Sequence, residues 1–426
     1  MREMQKNYVP VYIGDIIVCV SMPCSAARLR KPGHHRDKLF KVYFKDRKQM
    51  AKRRFDEIDV MRIIGFLMVV DQHILGAYAQ RADTGFAASL VLHFFYLLGR
   101  PAVPMFVAIT GFTLLYSNYG RFDMRRFYRK RLAAVVFPYI FWSFATIVIF
   151  KKYYLLKDII EVLATGSASY HLWYMGMLTR LYLWFPVILA MITWVMKRSS
   201  NTKKTLFILC FILYWAILKE NSNITGSLTV LIFGNASVYG TKFIQYSPVY
   251  WSIYFLCGAA VYFRYECFKE AVLKRRKIIF IAYIPLAAYM YYTQVCKNLP
   301  AYFPRIAYEY LFYILFMLLT AAVVYVISVK AVEKAGRFKG FVSELGALSY
   351  GAYLIHVIIL QKLAPVFRRE LPGADNLTAG ILIFIAVSIL SFAICRVIRL
   401  LPLAEYIIGA GRKAISFTKD ETYSIT

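Results

Sequence analysis

Acidic side chains are scarce in this chain: 23 Asp and Glu stand against 53 Lys and Arg, a formal charge of +30 over 426 residues. Polar stretches fit to make a soluble domain are also missing, because 60% of the residues are hydrophobic and 17% aromatic. Soluble proteins average about 45–50% apolar, so the composition excludes a water-soluble globule and points to a polytopic membrane protein. The seven cysteines (Cys19, Cys24, Cys210, Cys257, Cys267, Cys296 and Cys395) form no C-x-x-C pair and no metal-ligand spacing. That scatter predicts small buried hydrophobes rather than disulfides or structural zinc. The sequence also has no nucleotide-binding glycine loop, no Ser-His-Asp set, no metal cluster, no nucleic-acid motif, no internal repeat and no low-complexity tract. With no such partner in view, the basic excess reads as membrane topology.

What is present is a series of apolar runs. About ten are long enough to cross a bilayer as helices, near 58–79, 88–117, 131–150, 171–196, 204–220, 246–264, 277–294, 305–328, 345–366 and 377–401. The expected fold is therefore an all-α helix bundle occupying residues 58–401. The second run is long and carries Pro101 and Pro104, which predicts a kink. The segment 221–245 is rich in Gly, Ser and Asn and reads as re-entrant. Lys and Arg concentrate in the N-terminal arm, the even connections and the C-terminus, which places both termini in the cytoplasm of a cell membrane.

Residues 1–57 read as a basic, disordered extension facing lipid headgroups, and 402–426 as a cytoplasmic tail. Val9–Val20 is short, is broken by Gly14 and Asp15, and lacks the flanks of a signal peptide. Met50-Ala-Lys-Arg-Arg-Phe-Asp56 offers an alternative start just ahead of the first span.

The first span holds four ionisable residues: Asp59, Arg62, Asp71 and His73. Charges inside a membrane are costly and normally face a bundle interior or a watery cavity. Arg62 and His73 are eleven residues apart, about three turns, so they share a helix face with some 16 Å between them along the axis. Asp59 and Arg62, at i and i+3, can pair. Asp71 falls on a different face from His73. A histidine at this depth is a candidate general base, against the plainer role of a helix–helix hydrogen bond. Arg100, inside the second run, is a further candidate cavity residue, as are His171 at the head of the fourth run and His356 in the ninth. Each could equally serve helix packing. The loop Arg121–Arg131 is intensely basic and suits either topology or charge-assisted contacts with phosphates.

Asp59-x-x-Arg62 followed by ten residues and His73 resembles the first span of the acyltransferase family 3 proteins. Leu98-Gly-Arg-Pro-Ala-Val-Pro-Met-Phe106 leading to Thr110-Gly-Phe112 is similar to that family's VPxF and SGF signature, with Thr110 in place of Ser. His171-Leu-Trp-Tyr-Met175 and Ser349-Tyr-Gly-Ala-Tyr-Leu-Ile-His356 resemble its HLWFL and SYGIYLIH motifs. The resemblance runs over about residues 55–400. It implies an integral membrane O-acyltransferase that moves an acyl group, in the first instance acetyl, from acyl-CoA to a hydroxyl of a surface polysaccharide or lipid-linked glycan. It implies His73 and Arg62 as catalytic and an Arg-x-x-Arg as donor-binding. Arg126-Phe-Tyr-Arg129 has that spacing; a register anchored on Pro138 selects Arg131 instead, with Ala134 at the second position. No metal, nucleic acid or protein partner is implied beyond lipids, donor and acceptor. The alternative is a glycan exporter or flippase with no acyl-transfer chemistry, since ten spans with embedded charges suit a transporter too.

Overall fold

Apolar runs in lipid must satisfy their backbone groups internally, which favours helices, and helices are what the chain forms. The computed structural model describes residues 54–152, 154–297 and 311–411. The expectations for the extension through residue 53 lie outside the described residues. Seventeen α-helices follow in order: α1 Asp56–Ala79, α2 Phe86–Gly99, α3 Ala102–Asn118, α4 Met124–Arg131, α5 Phe137–Ile149, α6 Leu156–Thr165, α7 Trp173–Met196, α8 Ser200–Lys219 and α9 Asn221–Phe233. They continue with α10 Val238–Gln245, α11 Ser252–Phe263, α12 Tyr265–Lys274, α13 Arg276–Tyr291, α14 Leu311–Lys334, α15 Lys339–Glu370, α16 Asn376–Ile398 and α17 Ala404–Ile408. The fold is an all-α, multi-pass bundle.

Among the described residues, nine helical stretches are long and apolar enough to cross a membrane. They match nine of the ten expected runs. The tenth, near 246–264, is instead a 3-10 turn, Pro248–Trp251, feeding the twelve-residue α11. Each residue of a tight 3-10 turn rises more than one in an α-helix, so the pair covers depth that α11 alone does not. The 221–245 segment is a helical hairpin, α9 and α10, turned at Gly234 in the left-handed region (φ 74°). The tail expected from 402 begins with order: Trp142 Nε1 on α5 donates to the Ile407 carbonyl of α17 at 2.8 Å.

The long second run breaks where its prolines predict. Pro101 cannot donate to Leu97, and the Arg100 N–H takes that carbonyl at 3.2 Å instead. The break separates α2 from α3, and Gln72 on α1 donates to the carbonyl of the buried Gly99 at 2.8 Å.

α1 is the central helix, packed against α2, α3, α14, α15 and α16. Phe66 on α1, Phe185 on α7 and Phe316 on α14 are fully buried. α3 and α11 approach most closely, through facing glycines. A Cβ at Gly111 would collide with the Phe255 carbonyl, and one at Gly258 with the Ala108 carbonyl. Small residues permit such backbone-to-backbone contact in membranes.

Gly258→Val therefore forces α3 and α11 apart, at a cost on the order of 1–3 kcal/mol. It is expected to lower the temperature at which detergent-solubilised protein loses its monodisperse elution peak. Gly226→Ala on α9, where a Cβ meets nothing within 4 Å, is expected to act in the opposite sense, by about 0.5–1 kcal/mol of helix propensity. Equal melting of Gly258→Val and wild type would refute the close approach.

Candidate active site

In its first turn α1 carries Asp59, whose two carboxylate oxygens are divided between two arginines. Oδ1 accepts from Arg62 at 3.0 Å and Oδ2 from Arg54 at 2.9 Å. Asp59 is buried because Gly346 of α15 lies against it with no room for a Cβ. An ion pair at i and i+3 lowers the cost of a guanidinium at this depth. Arg62 keeps 34% of its side chain exposed, so its charge is steadied without being sealed off.

Arg131, at the end of α4, turns to the same place. Its guanidinium lies 5.2 Å from the Tyr182 ring centroid and 5.6 Å from that of Phe127. The Tyr182 hydroxyl is within electrostatic reach of both Arg131 and Arg62, and Arg131 Nε is buried without a hydrogen-bond partner. Arg126 and Arg129 project from the exposed side of α4. Of the three candidate donor-binding arginines, the structure brings Arg131 alone inward beside Arg62.

At the other end of the α1 face, two helices and the turn before α7 bring three histidines together. The ring of His73 lies 5.5 Å from that of His356 on α15, stacked at 27°, and 6.3 Å from that of His171. His171 and His356 are 4.9 Å apart, and Tyr170 packs 4.9 Å from His73 on a further side.

Their hydrogen bonds differ, and the differences assign their parts. His171 Nε2 faces the Leu354 carbonyl at 3.3 Å and Nδ1 faces Ser169 Oγ at 3.0 Å. A carbonyl only accepts, so Nε2 carries the proton and Nδ1 accepts from the serine. The Tyr353 hydroxyl donates to the His171 carbonyl. His171 is thus fully engaged and ties the turn before α7 to α15. His356 Nδ1 donates to its own helix at the Tyr353 carbonyl, 2.6 Å away, which leaves Nε2 as a lone pair, buried and unpartnered. His73 is half-buried, and among the described residues no hydrogen bond engages its ring. It is held by packing, with its nitrogens left for another partner. Among the described residues, no group of three or more His, Cys, Asp or Glu side chains is disposed to hold a metal ion.

Asp71 does not join this cluster. Its side chain is buried against Gly99 at the α2–α3 break, and Oδ1 has no hydrogen-bond partner. Arg100, at the same break, donates to the Tyr96 hydroxyl at 3.0 Å with its guanidinium 5.5 Å from that ring. Its described contacts are with Tyr96 rather than His73.

Arg180 went unnoticed in the sequence, although a charge seven residues into the apolar α7 is the kind of signal that marks a site or a buried anchor. Here it is an anchor: it donates to Gly176 O at 3.2 Å, Phe243 O at 2.5 Å and Tyr246 O at 2.6 Å, and so fastens the end of α10 to α7. Lys152 fastens the loop before His171, donating to Ala168 O at 2.7 Å, and partial burial holds its ammonium below the ordinary lysine range.

A family model described as an acyltransferase domain matches residues 55–400. No curated protein and no solved structure matches the chain.

The bonding pattern predicts a ranking of stability. His171→Ala removes two side-chain hydrogen bonds and opens a cavity, a loss of about 2–4 kcal/mol. His73→Ala removes packing only and is expected to cost less. Thermal unfolding of the two variants in the same detergent checks this, and a larger loss in His73→Ala would reverse the roles assigned to the two imidazoles.

Proposed function

The chain belongs to the acyltransferase 3 family, and from that premise we propose that it transfers an acyl group, acetyl in the simplest case, from acyl-coenzyme A to a hydroxyl of a cell-surface polysaccharide or lipid-linked glycan. The observation that carries the reading is His73. It is an imidazole hemmed in by Tyr170, His171 and His356 yet bound by none of them through a hydrogen bond. A group with a purely structural task in an apolar bundle would be expected to use its nitrogens. One that must accept a proton from a substrate has to keep one of them available.

The basic end of the bundle, with both termini, faces the cytoplasm, in keeping with the concentration of Lys and Arg there. Arg131 receives the donor's phosphates beside Arg62, and the exposed Arg126 and Arg129 extend that basic surface. The thioester lies along the α1 face toward His73. The acceptor's hydroxyl oxygen attacks the thioester carbon as His73 takes the hydroxyl proton. A tetrahedral oxyanion forms and collapses, the carbon–sulfur bond breaks, and the coenzyme A thiolate leaves with the proton returned from His73. The products are the acyl ester and free coenzyme A. The neutral His356 and His171 rings fix the orientation of His73 through packing, and Arg62 adds positive charge that favours the anionic donor.

Transfer of radiolabel from acetyl-CoA to surface glycans, in membranes carrying wild-type or variant protein, tests the reading. His73→Ala is expected to lose at least about a hundredfold in kcat, the usual worth of a general base. Arg131→Gln is expected chiefly to raise the KM for acetyl-CoA. Equal labelling by wild type and by a folded His73→Ala protein would remove His73 from the chemistry. Absence of labelling by wild type would reject acetyl-CoA as donor and turn the assay to glycan export.

A further inference from the structure

We propose that Tyr350 is a positioning residue that sets the register of Arg131, by holding open a π-turn between α4 and α5. The activity arm of the argument rests on the donor-binding reading of Arg131; the geometry does not.

α4 and α5 lie in one helical stretch, Met124–Ile149, interrupted by a π-helical turn at Leu132–Val136 in which the Phe137 N–H reaches back five residues to the Leu132 carbonyl. The sequence reason is Pro138. It has no N–H to give the Ala134 carbonyl, and its ring presses on that carbonyl, so the α-helix cannot run through unchanged. A kink in an ordinary α-helix would relieve the same clash. A π-turn differs in accommodating one extra residue, and a residue is worth about 100° of helix rotation. Which solution the chain adopts therefore decides where everything on α4 points.

The neighbours of the turn select the wide form. The Tyr350 hydroxyl of α15 donates to the Val135 carbonyl at 2.8 Å. Gly409, just after α17 and at φ 73°, lies flush on the Ala134 carbonyl and the Tyr350 ring, where a Cβ would collide with both. With the turn open, Phe127 is buried and stacked 5.0 Å from Phe185, and Arg131 one turn later lies over Phe127 and Tyr182. Closing the turn with the chain length unchanged would swing both residues off Tyr182 and Phe185. The Tyr350 hydroxyl touches neither Arg131 nor His73, so its effect passes through the backbone.

The test uses the full-length protein in nanodiscs and two variants: Tyr350→Phe, and Tyr350→Phe with Ala133 deleted. The deletion takes out the extra residue, so an α-helix kinked at Pro138 then carries Arg131 in its wild-type orientation. Tyr350→Phe is expected to raise the KM for acetyl-CoA about fivefold or more, with kcat within about twofold of wild type, and the deletion is expected to bring KM back. A second reading needs no donor. A Phe127→Cys reporter, followed by mass spectrometry of the peptide that carries it, is expected to resist a water-soluble maleimide with Tyr350 present. It should react in Tyr350→Phe and be shielded again in the deletion variant. Unchanged labelling in Tyr350→Phe, or a loss that the deletion does not repair, overturns the proposal. If the wild type uses no acyl-CoA, the donor reading fails and the labelling pattern alone decides the role of Tyr350.

Discussion

A polar group buried in an apolar bundle has no water to turn to, so its partner must come from a neighbouring helix. In this protein α15 supplies most of the partners that matter. Within two turns it gives the Tyr350 hydroxyl to Val135, the Tyr353 hydroxyl to His171, and the Leu354 carbonyl to the His171 ring. A turn earlier, Gly346 makes room for Asp59, and through Asp59 for Arg62. A turn later, His356 stacks on His73. The Ser349–His356 segment therefore joins the basic end of the bundle to the histidine end, and α1 lies along it carrying Arg62 and His73 at the right separation.

Proline sets the other constraint. Pro101 and Pro104 break the second span at the depth of Asp71 and Gln72, and Pro138 widens the third next to Arg131. At each break a side chain from elsewhere meets a nearby carbonyl: Gln72 donates to Gly99 O at the first and Tyr350 to Val135 O beside the second. An irregular backbone inside a membrane protein is tolerated only where protein covers it. The breaks thus lock α1 and α15 against the helices they cross, which is why the two ends of the site hold a fixed geometry.

Much of this was legible in the residues. Apolar length gave nine of the spans, because burial of a whole helix leaves an unbroken hydrophobic run, and the prolines gave the break at Pro101. Helical periodicity put Arg62 and His73 on one face and Asp71 off it, and the structure keeps them so. Long-range partners are a different matter. That His171 is fully engaged while His73 is not depends on Leu354, which is 183 positions away, and no local pattern encodes that. Arg131 could not be separated from Arg126 and Arg129 because a π-turn shifts the phase of a helix by one residue without leaving a composition signature. The shortness of α11 was hidden because the 3-10 turn Pro248–Trp251 that precedes it carries no charged residue to interrupt the apolar run.

Satisfaction of polar groups then becomes a way to tell architecture from chemistry. Arg180 commits Nε, Nη1 and Nη2 each to a backbone carbonyl, and His171 bonds through both ring nitrogens, so both are tied into the architecture. Along α1 and its neighbours the buried atoms without a hydrogen-bond partner include Asp71 Oδ1, His93 Nε2, His356 Nε2 and Arg131 Nε, and among the described residues the half-buried His73 ring makes no hydrogen bond either. Unsatisfied buried groups carry a cost that packing alone would select against, and here they lie toward both ends of the α1 face. Between those ends the bundle places Tyr174, Tyr182, Tyr350 and Tyr353 within electrostatic reach of one another. Tyr350 and Tyr353 commit their hydroxyls to backbone carbonyls, so these rings fill the space between the two ends without leaving a buried polar group unpaired.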